Sequence, residues 1–232
     1  MKKVFATAIA FILTLTACTK SDFTNSLVDT TKALQGDNGC IERIIIPVTA
    51  HSINSSDVPT VNNLFTSNGI DNSKFRYYRY IHDTLQTLYP PYTEYDQKTV
   101  RVDQYTKGVR IFTEDLVYNF LNNNFNYRGG ELTNGTSLDT VPNLTLRQIR
   151  KQFLDNIEQF DHAANKFKDS CFRAEFGYYN LNAGISFAQE VLVKAWRVTP
   201  KNSVYPSEYP IAFYHDNDGK LIAYDNGIRT FK

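Results

Sequence analysis

Chemistry in this chain would have to come from few residues. Four histidines, His51, His82, His162 and His215, are spread over 232 residues and share no metal-ligand spacing. His162 follows Asp161 at the end of a helical pattern, where an imidazole serves the helix dipole better than it serves as a base. Asp216-Asn217-Asp218-Gly219 opens like a calcium loop but lacks the later acidic ligand at EF-hand spacing. Asn-Asp-Gly is also a natural hairpin turn. Cys171 has no adjacent basic partner to hold it as a thiolate. Gly129-Gly130 sits in no phosphate-binding pattern, and Trp196 between Val193 and Val198 reads as core. No catalytic residue, metal ligand or cofactor-binding residue is expected, and the chain is expected not to be an enzyme.

The first residues suggest export. Met1-Lys2-Lys3 is a basic start, Val4 to Leu13 is apolar, and Leu15-Thr16-Ala17-Cys18 is a small-residue cleavage site ending in cysteine. The apolar run is shorter than the roughly 20 residues that span a bilayer. Leu-Thr-Ala-Cys is similar to the bacterial lipobox, in which the cysteine sulfur accepts a diacylglyceryl group. The expectation is a signal peptide over residues 1–17, lipid on Cys18, and a polar tether over 18–39. Several acyl chains at about 0.8 kcal/mol per methylene make such an anchor lasting. Thr19 is not the Asp that retains lipoproteins at the inner membrane, so the outer membrane of the cell envelope is the expected location.

Loss of Lys2 and Lys3 would take the formal charge from +1 to about −1, where a nucleic-acid surface would be strongly basic. With Cys18 lipidated, two of the three cysteines remain. In an oxidising compartment Cys40 and Cys171 either pair or stay as separate buried thiols. A disulfide would close a loop of about 130 residues, contributing roughly 4 to 5 kcal/mol by chain entropy.

Periodicity supplies the elements. Ile41 to Val48 reads as a strand kept at a sheet edge by Pro47. Ser55-Ser56-Asp57 caps a helix carrying Val58, Val61, Leu64 and Phe65 on one face, ended at Asn68-Gly69. Phe75–Ile81, Thr99–Tyr105, Val109–Phe120 and Phe125–Tyr127 follow as strands, with turns at Lys107-Gly108 and Asn122-Asn123-Asn124. Thr145-x-x-Gln148 is a capping box for a helix over 146–160. Strands are then expected at Phe172–Tyr179, Glu190–Thr199, Pro210–His215 and Lys220–Tyr224. The 15 Tyr and 16 Phe favour strands throughout.

Two stretches carry a resemblance. Arg101-Val102-Asp103-Gln104-Tyr105-Thr106-Lys107-Gly108-Val109-Arg110-Ile111-Phe112, with Asp115-Leu116-Val117, resembles the FTP motif of thermolysin and fungalysin propeptides. Val193-Lys194-Ala195-Trp196-Arg197-Val198 and Phe213 to Leu221, with its Asp-Gly-Lys turn, resemble the PepSY module. The resemblance implies an α+β fold of two consecutive helix-plus-antiparallel-sheet modules (cystatin-like, αβββ), over residues 40–135 and 136–232. In secreted metalloproteases these modules assist folding and inhibit the enzyme. No His-Glu-x-x-His occurs in these 232 residues, so a target would be met in trans. The expected function is a membrane-anchored envelope binding module that inhibits or assists an exported protease. The alternative is a structural, small-ligand-binding or glycan-binding lipoprotein. Tyr89-Pro90-Pro91-Tyr92 departs from the family's short loop and is the candidate partner contact, the plainer reading being an ordinary rigid loop.

Overall fold

The computed structural model describes residues 28–29, 39–185, 189–201 and 209–227, so the expected signal peptide and Cys18 lie outside the described residues. Strands β1 (Val28–Asp29) and β2 (Ile41–Ile44) precede helix α1 (Val58–Ser67). A meander follows: β3 (Phe75–Gln86), β4 (Glu94–Thr106), β5 (Val109–Leu121) and β6 (Asn124–Gly129). Then come α2 (Leu146–Asp161), the short α3 (Ala164–Phe167), and β7 (Phe172–Asn180), β8 (Leu192–Pro200), β9 (Ile211–His215) and β10 (Leu221–Asp225).

Local chemistry accounts for the turns and caps. Lys107 and Gly108 both adopt positive φ, 50° and 75°, as do Asn122 and Asn123 at 51° and 66°. A two-residue hairpin with both positions left-handed matches the twist of its strands, which is why Asn and Gly stand there. Thr145 begins α2 with a complete capping box to Gln148. Asp57 is the N-cap of α1 but makes no side-chain cap bond.

Each long helix buries one stripe. Val61, Leu64 and Phe65 of α1 pack on Phe75, Tyr77, Val100, Val102, Leu116, Tyr118 and Phe120. Ile149, Phe153 and Ile157 of α2 pack on Phe172, Ala174, Phe176, Trp196, Val198, Ala212 and Tyr214. Full burial of one such side chain is worth about 1.5 to 3 kcal/mol, so these stripes hold the helices in place.

The expected pair of modules, each with a small antiparallel sheet, does not form. The strands join into one ten-stranded mixed sheet in the order β10-β9-β8-β7-β5-β4-β3, with β6 beside β5 and β1–β2 beside β7. With 42% strand against 17% helix, the chain is mostly β. The cause lies at two half-used edges. β6 covers β5 only from Val117 to Leu121, and β2 covers β7 only from Phe172 to Glu175. The remaining stretches meet in parallel at Ile111 and Tyr178, and the Asn180 amide donates to Thr113 Oγ1 at 3.2 Å. Buried backbone groups left unpaired would be costly, which favours the join. Gly177 permits it: a Cβ there would lie 2.5 Å from the Phe112 ring and 2.6 Å from the Arg110 carbonyl oxygen.

Two boundaries also move. β2 ends at Ile44, short of Pro47, and lies between β1 and β7 instead of at an edge. The strand expected over Phe75–Ile81 continues to Gln86, and its partner starts at Glu94.

Candidate functional site

The residues that carry the PepSY resemblance form an internal lock. Asp216 is fully buried and accepts from the Asn143 amide at 3.0 and 2.8 Å, the Leu144 amide at 3.2 Å and Trp196 Nε1 at 2.8 Å. Its carboxylate therefore ties the β9–β10 turn to the chain entering α2 and to the core tryptophan. Asp218 is turned instead toward Lys220, at 2.7 Å. The two carboxylates do not converge, so the sequence Asp216-Asn217-Asp218-Gly219 builds a turn and no calcium loop.

The residues that resemble the FTP motif build a charged ladder over the seam. Arg76 on β3 meets Asp103 on β4 at 2.6 Å, and Asp103 meets Arg110 on β5 at 2.7 Å. Arg110 continues to Glu175 on β7 at 3.7 Å, and Glu175 to Arg197 on β8 at 3.9 Å. Strand alternation puts these groups on the face away from the helix cores. Burial pushes the Glu175 carboxyl above its usual range against the pull of Arg110 and Arg197. Burial alone would lower the Arg110 pKa, but Asp103 and Glu175 outweigh it and the net shift is upward. Its alternating charge holds neighbouring strands together.

Cys40 and Cys171 form a disulfide across a sequence separation of 131 residues. It fastens the lead-in to β2 at the start of β7, where the Phe172 amide donates to the Cys40 carbonyl at 2.8 Å. The histidines stay apart. His51 Nδ1 accepts from the Tyr77 amide at 3.0 Å, and His82 pairs with Asp96 at 2.6 Å. His162 is the left-handed C-cap of α2. Asp161 beside it accepts from Asn226 Nδ2 at 2.8 Å and from the Tyr224 hydroxyl. His215 faces Ala195 across β8–β9. Among the described residues, no group of three or more His, Cys, Asp and Glu could hold a metal ion, and no helix is long and apolar enough to cross a membrane.

Four exposed large apolar side chains, Leu85, Leu88, Tyr89 and Tyr92, gather at the end of the β3–β4 hairpin. β5 accompanies β4 only as far as Gln97, so Thr84–Asp96, Leu85–Tyr95 and Gln86–Glu94 stand as a two-stranded ribbon beyond the sheet. The ribbon has two characters. His82, Thr84 and Gln86 lie on one face with Lys98, Asp96 and Glu94 opposite them, and Ile81 and Leu85 lie on the other with Tyr95. The loop is closed from within: the Thr87 amide donates to Thr93 O at 3.0 Å, and the Thr93 amide to Thr87 Oγ1 at 2.8 Å. The Pro90–Pro91 peptide is cis. On this closed loop Leu88 is 85% exposed, Tyr89 80% and Tyr92 64%, and Leu85 below them is 43% exposed. Tyr89, Pro90, Pro91 and Tyr92 are legible in the sequence as a candidate contact; Leu85, Leu88 and Tyr95 are not, because their place at the tip depends on the hairpin's true length.

At the opposite end of the same strands is a cleft of about 260 Å³. Ile70, Phe75, Tyr118 and Leu132 give it apolar walls, with Asp71 and Lys74 beside them. Buried Gln104 fixes one wall by donating to Thr133 O at 2.6 Å and accepting from the Thr133 amide at 2.9 Å. No spacing in the sequence announces this cleft, because its walls come from segments that meet only after folding. The chain matches no protein-family model, no curated protein and no solved structure.

Proposed function

We propose that this chain is a non-catalytic binding module, tethered in the cell envelope through Cys18, that engages a protein partner with the tip of the β3–β4 hairpin. The observation that carries this reading is the exposure of Leu88, Tyr89 and Tyr92 together on a loop closed by its own hydrogen bonds. Large apolar side chains on an ordered protrusion act as binding anchors, because little ordering entropy remains to be lost on contact. Glu94 stands beside the tip, and Asp83 and Asp96 follow along the ribbon. The partner surface that fits is an apolar cleft with basic groups beside it. An exported protease is the class of partner that the propeptide resemblance suggests.

A photoreactive residue in place of Tyr89, in the full chain in its producing cell, tests the reading. The expected result is a crosslink to a defined protein that disappears when L88S is added. A label at exposed Lys151 on α2 serves as control. Equal crosslinking from positions 89 and 151 would overturn it.

A further inference from the structure

The cleft lies between the α1–β3 connection, residues 70–74, and the segment that follows β6. We propose that it binds a free α-amino acid with an aliphatic side chain of about leucine size. This goes beyond the hairpin-tip reading and does not depend on it, since tip and cleft share no residue.

Much of the cleft lining is polar, and its polar groups divide into those already spent and those still open to a ligand. Gln104 is spent. Both ends of its amide are bonded to the Thr133 backbone, at 2.6 and 2.9 Å, which fixes the segment after β6 against β4 and sets one wall. The hydroxyls of Tyr118 and Thr133 are open. These residues are 2% and 5% exposed, and neither side-chain oxygen has a hydrogen-bond partner. Arg128 and Glu190 approach them, but not in hydrogen-bonding geometry. Buried hydroxyls are nearly always bonded, so two without partners in the walls of one cleft point to a ligand with polar atoms.

Charge narrows the class. Asp71 and Lys74 are exposed, so they stand at the rim. Asp71 accepts from the Ser73 amide at 2.9 Å and is held below its ordinary pKa, first by its hydrogen bonds to Ser73 and more weakly by Lys74. The two side chains feel each other but do not touch, and neither forms an ion pair among the described residues. Unlike charges standing side by side and unjoined can receive an ammonium at one and a carboxylate at the other. A simple anion would leave Asp71 facing it, a simple amine would leave Lys74, and a purely apolar molecule would leave both hydroxyls dry. Ile70, Phe75 and Leu132, with the Tyr118 ring, supply the apolar walls that an aliphatic side chain needs. A volume of about 260 Å³ falls below the roughly 300 Å³ at which drug-sized sites begin, which leaves room for a molecule of amino-acid size.

Titration calorimetry of the full chain in mild detergent tests this with L-leucine, isocaproate, isoamylamine and glycine. The last three lack in turn the ammonium, the carboxylate and the side chain. Leucine should saturate one site, and each truncated probe should bind about fivefold or more weakly. K74Q should weaken leucine about fivefold and leave isoamylamine unchanged. D71N keeps an acceptor for the Ser73 amide; it should weaken leucine similarly and leave isocaproate unchanged. L132W, whose indole fills the cleft, should abolish binding. No saturable heat with leucine at millimolar concentration would overturn the proposal, as would a truncated probe that binds as tightly as leucine. So would leucine binding that neither charge variant changes, or a site that L132W leaves intact. Crosslinking from position 89 reads the tip alone, so either proposal can fail without the other.

Discussion

Removal of the Asp216 carboxylate should cost more stability than any other single polar deletion in the second half of the chain. The group is fully buried, and three donors converge on it: the Asn143 and Leu144 amides and the Trp196 indole. Lys194, 12% exposed, approaches to 3.5 Å but keeps the Val141 carbonyl at 2.8 Å and Asp139 at 3.2 Å. In D216A the donors lose their acceptor in a site closed to water, at about 1 to 3 kcal/mol for each stranded group. Partial relaxation of the 143–144 segment brings the expected total to about 3 to 5 kcal/mol, a large share of a typical 5 to 15 kcal/mol. D216N can keep its carbonyl oxygen where Oδ1 accepts from the Leu144 amide and Trp196, but its NH2 then faces the Asn143 amide, so about 1 to 3 kcal/mol is expected. Trp196 is the only tryptophan in the sequence, so urea unfolding followed by its fluorescence reports from inside the lock. A D216A midpoint shift worth less than about 1 kcal/mol at unchanged m-value would refute the assignment of Asp216 as the organiser of this corner.

Replacing Cys40 and Cys171 together by serine should lower stability by about 4 to 5 kcal/mol, the chain-entropy value for a loop of 131 residues, and urea midpoints with and without reductant should give the same difference. R110M should cost about 3 to 5 kcal/mol, because it leaves Asp103 and Glu175 buried without the guanidinium between them; adding E175Q should restore part of the loss in thermal unfolding. His51 stacks on Tyr77 at 4.2 Å and is held below its ordinary pKa of 6.5 by burial and then by Arg76. The neutral ring's contribution is therefore complete above 6.5 and is lost as pH falls through the lowered folded value, so the thermal midpoint of wild type should drop on acidification more steeply than that of H51F.

How far the sequence reaches is clearest at β3 and at β7. Helical stripes and strand alternation are local signals, so α1, α2 and the turns at Lys107-Gly108 and Asn122-Asn123 could be read directly. The end of β3 could not. His82 to Gln86 carries no core residue, and its pairing is seen only against Glu94 to Lys98. That pairing decides whether Tyr89-Pro90-Pro91-Tyr92 is a surface loop or the end of a projecting ribbon. β7 fails for a different reason. Its parallel contacts with β2 and β5 join residues far apart in sequence with no turn to announce them, so the chain reads as two units where one sheet forms. The motif residues gave a family likeness but no warning that Asp216 and Trp196 are spent on each other.

The seam bears on how the exposed features can act. Arg76, Asp103, Arg110, Glu175 and Arg197 lie on neighbouring strands, and each acidic group there is shared by two arginines. Removing Arg110, the middle member, leaves Asp103 and Glu175 each with one arginine where there were two, so the ladder loses charge compensation at a buried site without coming apart. β3 and β4 belong to that ladder through Arg76 and Asp103, and the same two strands end in the tip and begin at the cleft. A load on the tip therefore passes along a paired ribbon into the seam, and from β7 through Cys171 to Cys40 at the lead-in to β2. If the disulfide and the ladder carry such loads together, a reduced protein pulled at its hairpin should give first at β2, which is four residues long, and leave the ladder intact. Single-molecule extension from position 89 to the N-terminal lead-in would show that order, and a first rupture at the ladder would exclude it.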